Sequence, residues 1–370
     1  MATACDSPGV TSDQVKFGLV FSDSGSGNQT LSSARAGVDA RLGLADHEGG
    51  VNGRRPVYEW RDDAASPSQN AKAVAELVNV ESVFGVVAIT TSISGSIESL
   101  GSAGIPVVGL ADASWKSHPN MFSNSYEMSP QTVGRYIQAN GGTKVAFITA
   151  GASAFTASYV ERYVSALQAM GLTMVGTVSY SSGDSALRVA QQLVDSGADS
   201  LVSVTTPDDF ASIMQAARSA NAKLVSAVSL VGYDRGVLST LGTALAGVSF
   251  PVYFRPFEAG GAAIERYRSA IARFAPELAM PEQQFAMYGY IYADLFIRGL
   301  EEAGACPTRE SFISGLREVT GYDAGGLIEP VDLATNVGKP LECSAFVQVD
   351  PMGRIFQVTQ ERLCADGTGS

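Results

Sequence analysis

Three clusters of small, hydroxyl-bearing residues hold what chemistry this chain offers. They read Ser22-Asp-Ser-Gly-Ser-Gly-Asn28, Thr90-Thr-Ser-Ile-Ser94 and Ala111-Asp-Ala-Ser114. Each follows a short apolar run of strand character. In open α/β sheets the strands end at the crevice where ligands bind, and helix N-termini there present free N–H groups. Hydroxyls and main-chain N–H groups together suit a carboxylate. Ser and Thr also cap helices, a use that accounts for one such cluster more readily than for three. Catalysis is poorly provided for. The two histidines, His47 and His118, have no cysteine or carboxylate at ligand spacing, so no metal site is expected. No G-x-S-x-G elbow and no Cys/His nucleophile pair occurs. Asp23 and Asp112 would make an acid–base pair only if brought together. Without a nucleophile, capping and hydrogen bonding are their expected uses. Gly25-Ser26-Gly27 opens like a dinucleotide fingerprint, but the third glycine position is Thr30, so no nucleotide cofactor is expected.

The elements that must position these loops alternate between strand and helix, the pattern of an α/β protein with parallel sheets. Strands are expected at Val15 to Phe21, Val57 to Arg61, Val83 to Ile89 and Ile105 to Leu110. Helices are expected about Leu31 to Asp46, after Pro67, and over Ser94 to Ala103. The cycle then restarts. Strands at Lys144–Thr149, Met174–Ser179, Ser200–Val204 and Leu224–Ser229 alternate with helices at Ser158–Met170, Leu187–Ser196 and Phe210–Ala220. Two further helices, Ala262 to Phe274 and Gln283 to Ala303, precede a C-terminal hairpin turning at Asp350-Pro351-Met352-Gly353.

A chain of 370 residues that is 45% hydrophobic can bury two cores. Its net charge of −12 and the lack of any Lys/Arg cluster argue against nucleic acid. No apolar run reaches the roughly 18 residues of a membrane span. Met1 stands directly before Ala2-Thr3-Ala4-Cys5 with no signal peptide between, so the expectation is an exported chain without its leader. The alternative is a cytosolic protein.

The most telling stretch is Ala36 to Asp63, AGVDARLGLADHEGGVNGRRPVYEWRDD. A helix carrying Val38, Leu42 and Ala45 stops at Gly49-Gly50, where positive φ costs no Cβ clash. Asn52-Gly53 then turns the chain into a short strand that ends on Asp62-Asp63. Helix, double glycine, V-N-G-R, strand and D-D resemble the first half of the branched-chain amino-acid-binding family of type I periplasmic binding proteins. The resemblance continues through nearly the whole chain.

It implies two doubly wound, Rossmann-like lobes joined by a three-strand hinge, with lobe 1 at 13–122 plus 255–328 and lobe 2 at 123–254 plus 329–366. It implies an extracytoplasmic solute receptor, in the periplasm or at the cell surface, that captures a small molecule and does no chemistry on it. The partners implied are a small carboxylate-bearing ligand and an ABC transporter permease; a monomer without cofactor or metal is expected. The ligand positions carried over are Ser24, Thr30, Thr90, Thr91, Ser92, Ala111, Asp112, Ala113, Ser114, Phe155, Thr206, Leu230 and Tyr290. The second and third clusters hold the carboxylate in the family. For Tyr288 and Tyr292, at i, i+4, helix–helix packing is the expected use of at least one.

Leu230 stands where members that bind α-amino acids have an acid to pair the ammonium. A buried ammonium without a counter-charge costs several kcal/mol. Either Asp234 or Asp112 substitutes, or the ligand is an aromatic or aliphatic organic acid. The other reading of the same lobes is a ligand-sensing domain. A repressor would need a helix-turn-helix ahead of strand 1, and a membrane-bound sensor would need a span.

Four cysteines allow three pairings. Cys5 precedes strand 1, whose far end reaches the crevice, so Cys5 lies at the distal pole of lobe 1. The late helix begins near the crevice at Tyr288 and carries Cys306 to that same pole. Cys343 enters and Cys364 leaves the C-terminal hairpin. Cys5–Cys306 and Cys343–Cys364 are therefore expected, in an oxidising compartment. The competing reading makes Cys5 a lipidated first residue; Ala2-Thr3-Ala4 fits that poorly and a thiol would be left over.

Overall fold

Runs that are apolar on both faces become inner parallel strands, and the run that alternates becomes an edge. The computed structural model describes residues 5–25, 31–111, 113–151 and 154–369. In its first stretch, β1 (Gln14–Phe21), β2 (Arg55–Asp62), β3 (Val86–Ile89), β4 (Val107–Gly109) and β5 (Met121–Phe122) form one parallel sheet in the order β2-β1-β3-β4-β5. All four residues of β3 are fully buried, as a strand covered by helices on both faces should be. Edge strand β2 keeps Arg55 and Glu59 exposed. Helices α1 (Ala34–His47), α2 (Pro67–Asn79) and α3 (Ile97–Ser102) connect these strands. The double glycine after α1 has φ of 103° and 76°. Asn52 and Gly53 both have positive φ in a turn closed by the Val51–Arg54 bridge, as the sequence requires.

After β6 (Glu127–Met128) the chain builds α4 (Pro130–Ala139), β7 (Lys144–Ala150), α5 (Ala154–Ala169), β8 (Thr173–Tyr180), α6 (Ala186–Ser196), β9 (Ser200–Val204), α7 (Pro207–Ser219), β10 (Ser226–Ser229), α8 (Arg235–Leu245) and β11 (Ser249–Val252). It returns for α9 (Ala262–Phe274), α10 (Gln284–Ala303) and α11 (Arg309–Glu318). The chain ends in β12 (Pro340–Leu341), β13 (Cys343–Val349) and β14 (Phe356–Cys364). The second sheet runs β14-β13-β11-β10-β9-β7-β8, parallel except where β13 pairs with β11 and β14.

Two compact units result, Met1–Glu127 with Gly261–Pro340 and Met128–Gly260 with Leu341–Ser370. Unit 1 has its own core around Val86, Val107, Leu77 and Trp115; unit 2 has one around Phe147, Tyr163, Leu167 and Phe346. The third crossing lies at 340/341, later than the 328/329 read from sequence. The intervening segment is bonded into unit 1. Tyr322 and Val331 exchange backbone hydrogen bonds of 2.9 Å, Leu333 N donates to Val319 O at 3.0 Å, and Asn336 Nδ2 donates to Ser123 O at 2.9 Å.

The α1–α10 crossing explains two glycines. A Cβ on Gly37 would lie 1.8 Å from Ala286 O, and one on Gly289 would lie 2.0 Å from Ala34 O. Only two missing side chains let the helices approach so closely. Both expected disulfides are present, Cys5–Cys306 and Cys343–Cys364, the second across the β13–β14 pair. Arg54 secures the first from below, with Nε donating to Thr11 O at 2.7 Å and Nη1 to Ala305 O at 2.5 Å.

Candidate ligand-binding site

The polar clusters of unit 1 sit at the C-terminal ends of β1, β3 and β4, and two adjacent aspartates at the end of β2 organise the first two. Asp62 serves the loop after β1. It accepts the amides of Asp23 at 3.0 Å, Ser24 at 3.2 Å and Ala64 at 2.8 Å, and the Ser24 hydroxyl donates to it. Partial burial opposes the charge on Asp62. The bonds from Ser24 and the three amides outweigh that and hold its carboxyl below the ordinary aspartate range.

Asp63 serves the loop after β3. It is 0% exposed. Ser22 Oγ donates to it at 2.7 Å, Asn70 Nδ2 at 3.0 Å and Ala65 N at 3.1 Å, and the Thr90 hydroxyl donates to its Oδ2. Thr90 Oγ1 in turn accepts the Ser92 amide at 2.9 Å and the Ser22 hydroxyl at 3.2 Å. On α2, Asn70 Oδ1 accepts Ser96 Oγ at 2.6 Å. Three strand-end loops thus converge on one buried carboxylate, the arrangement in which buried polar groups are stable.

This network sorts the expected site residues. The hydroxyls of Ser24 and Thr90 are committed to Asp62 and Asp63. Thr91 is exposed, and Ser92 is 4% exposed with its amide on Thr90; neither hydroxyl is used by another described residue. Ala111 is half-buried and Ser114 exposed at the end of β4, with Trp115 fully buried behind them. Thr30 and Asp112 lie outside the described residues, as do the side chains of Ala113 and Phe155.

Unit 2 presents the ends of β7, β9 and β10. Thr206 follows β9 and caps α7, its Oγ1 accepting Asp209 N at 3.3 Å. Leu230 is 2% exposed and belongs to the unit 2 core with Val228, Phe147 and Phe346. The Tyr290 ring packs edge-on against Tyr267 of α9 at 5.3 Å, in the helix layer of unit 1. Two residues either way, Tyr288 and Tyr292 stack on each other at 6.0 Å. Burial pushes the Tyr288 phenol up to about 12, with Gln284 bonding against that shift; burial raises Tyr292 as well, where Ser123 is the hydrogen-bonding neighbour.

Neither histidine faces these loops. His47 lies exposed against the Arg273 guanidinium, 3.0 Å away, and His118 lies beside Glu98. A cavity of about 200 Å³ occurs elsewhere in unit 1, between α1, α10 and the 321–325 loop. It is lined by Arg41, Asp294, Arg298, Glu301 and Asp323, and no strand end opens into it.

Residues 14–354 match the family model described as Periplasmic binding protein, and the chain belongs to that family. The family is one of extracytoplasmic binding proteins, not of enzymes. Among solved structures the chain resembles a fatty acid ABC transporter substrate-binding protein from Thermomonospora curvata. That match has 18% identity and a TM-score of 0.82 over 98% of this chain and 96% of that one. It also resembles the branched-chain amino acid transporter substrate binding protein LivJ from Streptococcus pneumoniae, solved with isoleucine (14% identity, 94% and 99% covered, TM-score 0.78). The leucine binding protein LivK from Thermotoga maritima is similar at 14% identity, 93% and 97% covered, TM-score 0.78. At these identities the likeness is one of fold, the two-lobed type I fold. No curated protein matches the chain. No helix of the described residues is long and apolar enough to cross a membrane.

Proposed function

We propose that the protein is the extracytoplasmic solute-binding component of an ABC importer, that it binds a small carboxylate-bearing ligand as a monomer, and that the liganded form engages a membrane permease. The single observation that carries the ligand class is the loop after β3. Its backbone is fixed from behind by Asp63 and Thr90, while the hydroxyls of Thr91 and Ser92 have no partner among the described residues. A carboxylate would accept from these hydroxyls and from main-chain groups around Ala111 and Ser114 through charge-assisted bonds. Unit 2 would then close over the ligand by bending at the three crossings, the closed state being favoured by its higher affinity.

The ligand is an amino acid or an aromatic or aliphatic organic acid. A thermal-shift screen separates the two, with L-leucine and L-isoleucine in one set, octanoate and phenylacetate in the other, and the matching amides and esters as controls. A ligand at 100 times its Kd adds ~2.7 kcal/mol of stability. A raised melting temperature with a carboxylate and none with its amide or ester supports the reading. Stabilisation that survives removal of the carboxylate overturns it.

A further inference from the structure

We propose that Asp63 is the positioning residue of the ligand grip: its carboxylate sets the main-chain path of Thr90–Ser92 and so presents the hydroxyls of Thr91 and Ser92. The proposal rests on the reading of those two hydroxyls given above. Asp63 touches no ligand group itself, being 0% exposed. Its reach is across strands. From the end of β2 it takes the hydroxyl of Ser22 at the end of β1 and that of Thr90 at the end of β3. With its hydroxyl hydrogen directed to Asp63, Thr90 Oγ1 offers a lone pair to the Ser92 amide at 2.9 Å. That amide lies one residue beyond Thr91, so the bond pins both ends of the exposed residue. A second strut runs from Asp63 through Asn70 to Ser96. The loop also lies directly on the segment after Asp63, because a Cβ on Gly95 would stand 1.8 Å from Pro67 O.

An aspartate is required here for a reason of valence. All four groups that meet Asp63 donate, and only a carboxylate accepts on both oxygens. In Asp63→Asn one oxygen becomes an NH2. Placed at the Oδ1 site, it confronts the Ala65 N–H, which cannot reverse. Placed at the Oδ2 site, it takes away the acceptor of the Thr90 hydroxyl and confronts the Asn70 NH2 group, and turning that amide forces the Ser96 hydroxyl to reverse from donor to acceptor. Either orientation weakens a strut while leaving the size of the side chain unchanged.

Hydrogen exchange read by mass spectrometry tests this. In D63N the peptide covering 90–96 is expected to exchange about tenfold faster or more, the equivalent of one lost buried hydrogen bond. Peptides from β1 and β3 should keep their protection. D62N, which frees the loop after β1 instead, should leave 90–96 unchanged. If D63N does not fold, Asn70→Ala removes one donor from the carboxylate and is judged by the same criterion. Unchanged protection of 90–96 would overturn the proposal, and so would a loss spread evenly over unit 1, which marks a merely structural residue. Titration with L-leucine and octanoate runs alongside. A probe that binds the wild type should bind D63N at least about tenfold more weakly. If neither probe binds the wild type, the ligand reading fails, while the exchange result still decides the role of Asp63.

Discussion

Thr90 and Thr91 are chemically identical neighbours, and the structure predicts opposite consequences for removing their hydroxyls. Thr90→Val keeps the shape of a 2%-exposed side chain and deletes Oγ1. Three bonds go: the donation to Asp63, the acceptance of Ser92 N at 2.9 Å and that of Ser22 Oγ at 3.2 Å. Ser22 is the least affected, since its hydroxyl still reaches Asp63 at 2.7 Å. The bond to a carboxylate is worth about 1.5–3 kcal/mol, and stranding a buried amide costs about 1–3 kcal/mol. The gain of an apolar methyl offsets part of this, so a loss of about 2–4 kcal/mol is expected. At about 2–4 °C per kcal/mol, the melting temperature should fall by about 5–15 °C. Thr91→Ala removes an exposed hydroxyl with no partner among the described residues and should stay within about 0.5 kcal/mol. Its cost falls on the ligand, at about 1–3 kcal/mol or roughly 5- to 150-fold in Kd. Calorimetry of both variants, with titration of whichever carboxylate stabilises the wild type, reads the two effects separately. The reasoning fails if T90V melts with the wild type, or if T91A loses as much stability as T90V.

Three other expectations concern the scaffold. Gly289→Ala drives a Cβ to 2.0 Å from Ala34 O and should cost about 1–3 kcal/mol by chemical denaturation, whereas Gly176→Ala, with nothing within 4 Å, should be close to neutral. Equal effects would deny the tight α1–α10 contact. The bridges span 301 and 21 residues of sequence. Chain-entropy scaling then makes loss of Cys5–Cys306 the more damaging, about 5 against about 3 kcal/mol, measured on paired Cys→Ser variants; the reverse order would contradict that account. Lastly, burial works against the charge on Asp199, but bonds from Thr143, Lys144 N and Ser200 hold its carboxyl below the usual range. A depressed folded value stabilises above the unfolded value of about 3.9 and is lost as pH falls through it. D199N should therefore flatten the fall of melting temperature below about pH 4, and a profile superimposable on the wild type would exclude the contribution.

Local signals in the sequence reached far. Alternation, Gly49-Gly50 and Asn52-Gly53 are decided by backbone sterics within a few residues, and the structure follows them. The cysteine pairing was legible because it needs only the direction of strands and of α10. The Asp63 network was not. Ser22, Asp63, Asn70, Thr90 and Ser96 are spread over 75 residues of sequence, and each alone reads as a cap or a turn residue. The place of the third crossing within 329–340 was not legible, because this segment has neither helical nor strand period and is held by scattered bonds to unit 1. On α10 one residue turns the side chain by 100°, so Tyr290, packed on Tyr267, stands on a different face from Tyr288 and Tyr292, and the sequence pattern alone does not choose between them.

Placing Leu230 in the core changes the argument about the ligand. The missing counter-charge favoured an organic acid only while that side chain was taken to line the site. Its burial among Val228, Phe147 and Phe346 gives that inference no support, and the acids of the strand-end loops come into consideration. Asp208 and Asp209 stand in the first turn of α7, and Asp234 is the residue before α8. Acids at helix N-termini are stabilised as charges by the helix itself. Were the ligand an α-amino acid, its ammonium would need an acid of this kind as partner. Discrimination then lies with the amino group: a ligand whose binding is lost when its ammonium is removed points to these acids, and Asp234→Asn should weaken that ligand while leaving a plain carboxylate unaffected. If D234N weakens both alike, the residue acts through α8 and not through an ammonium.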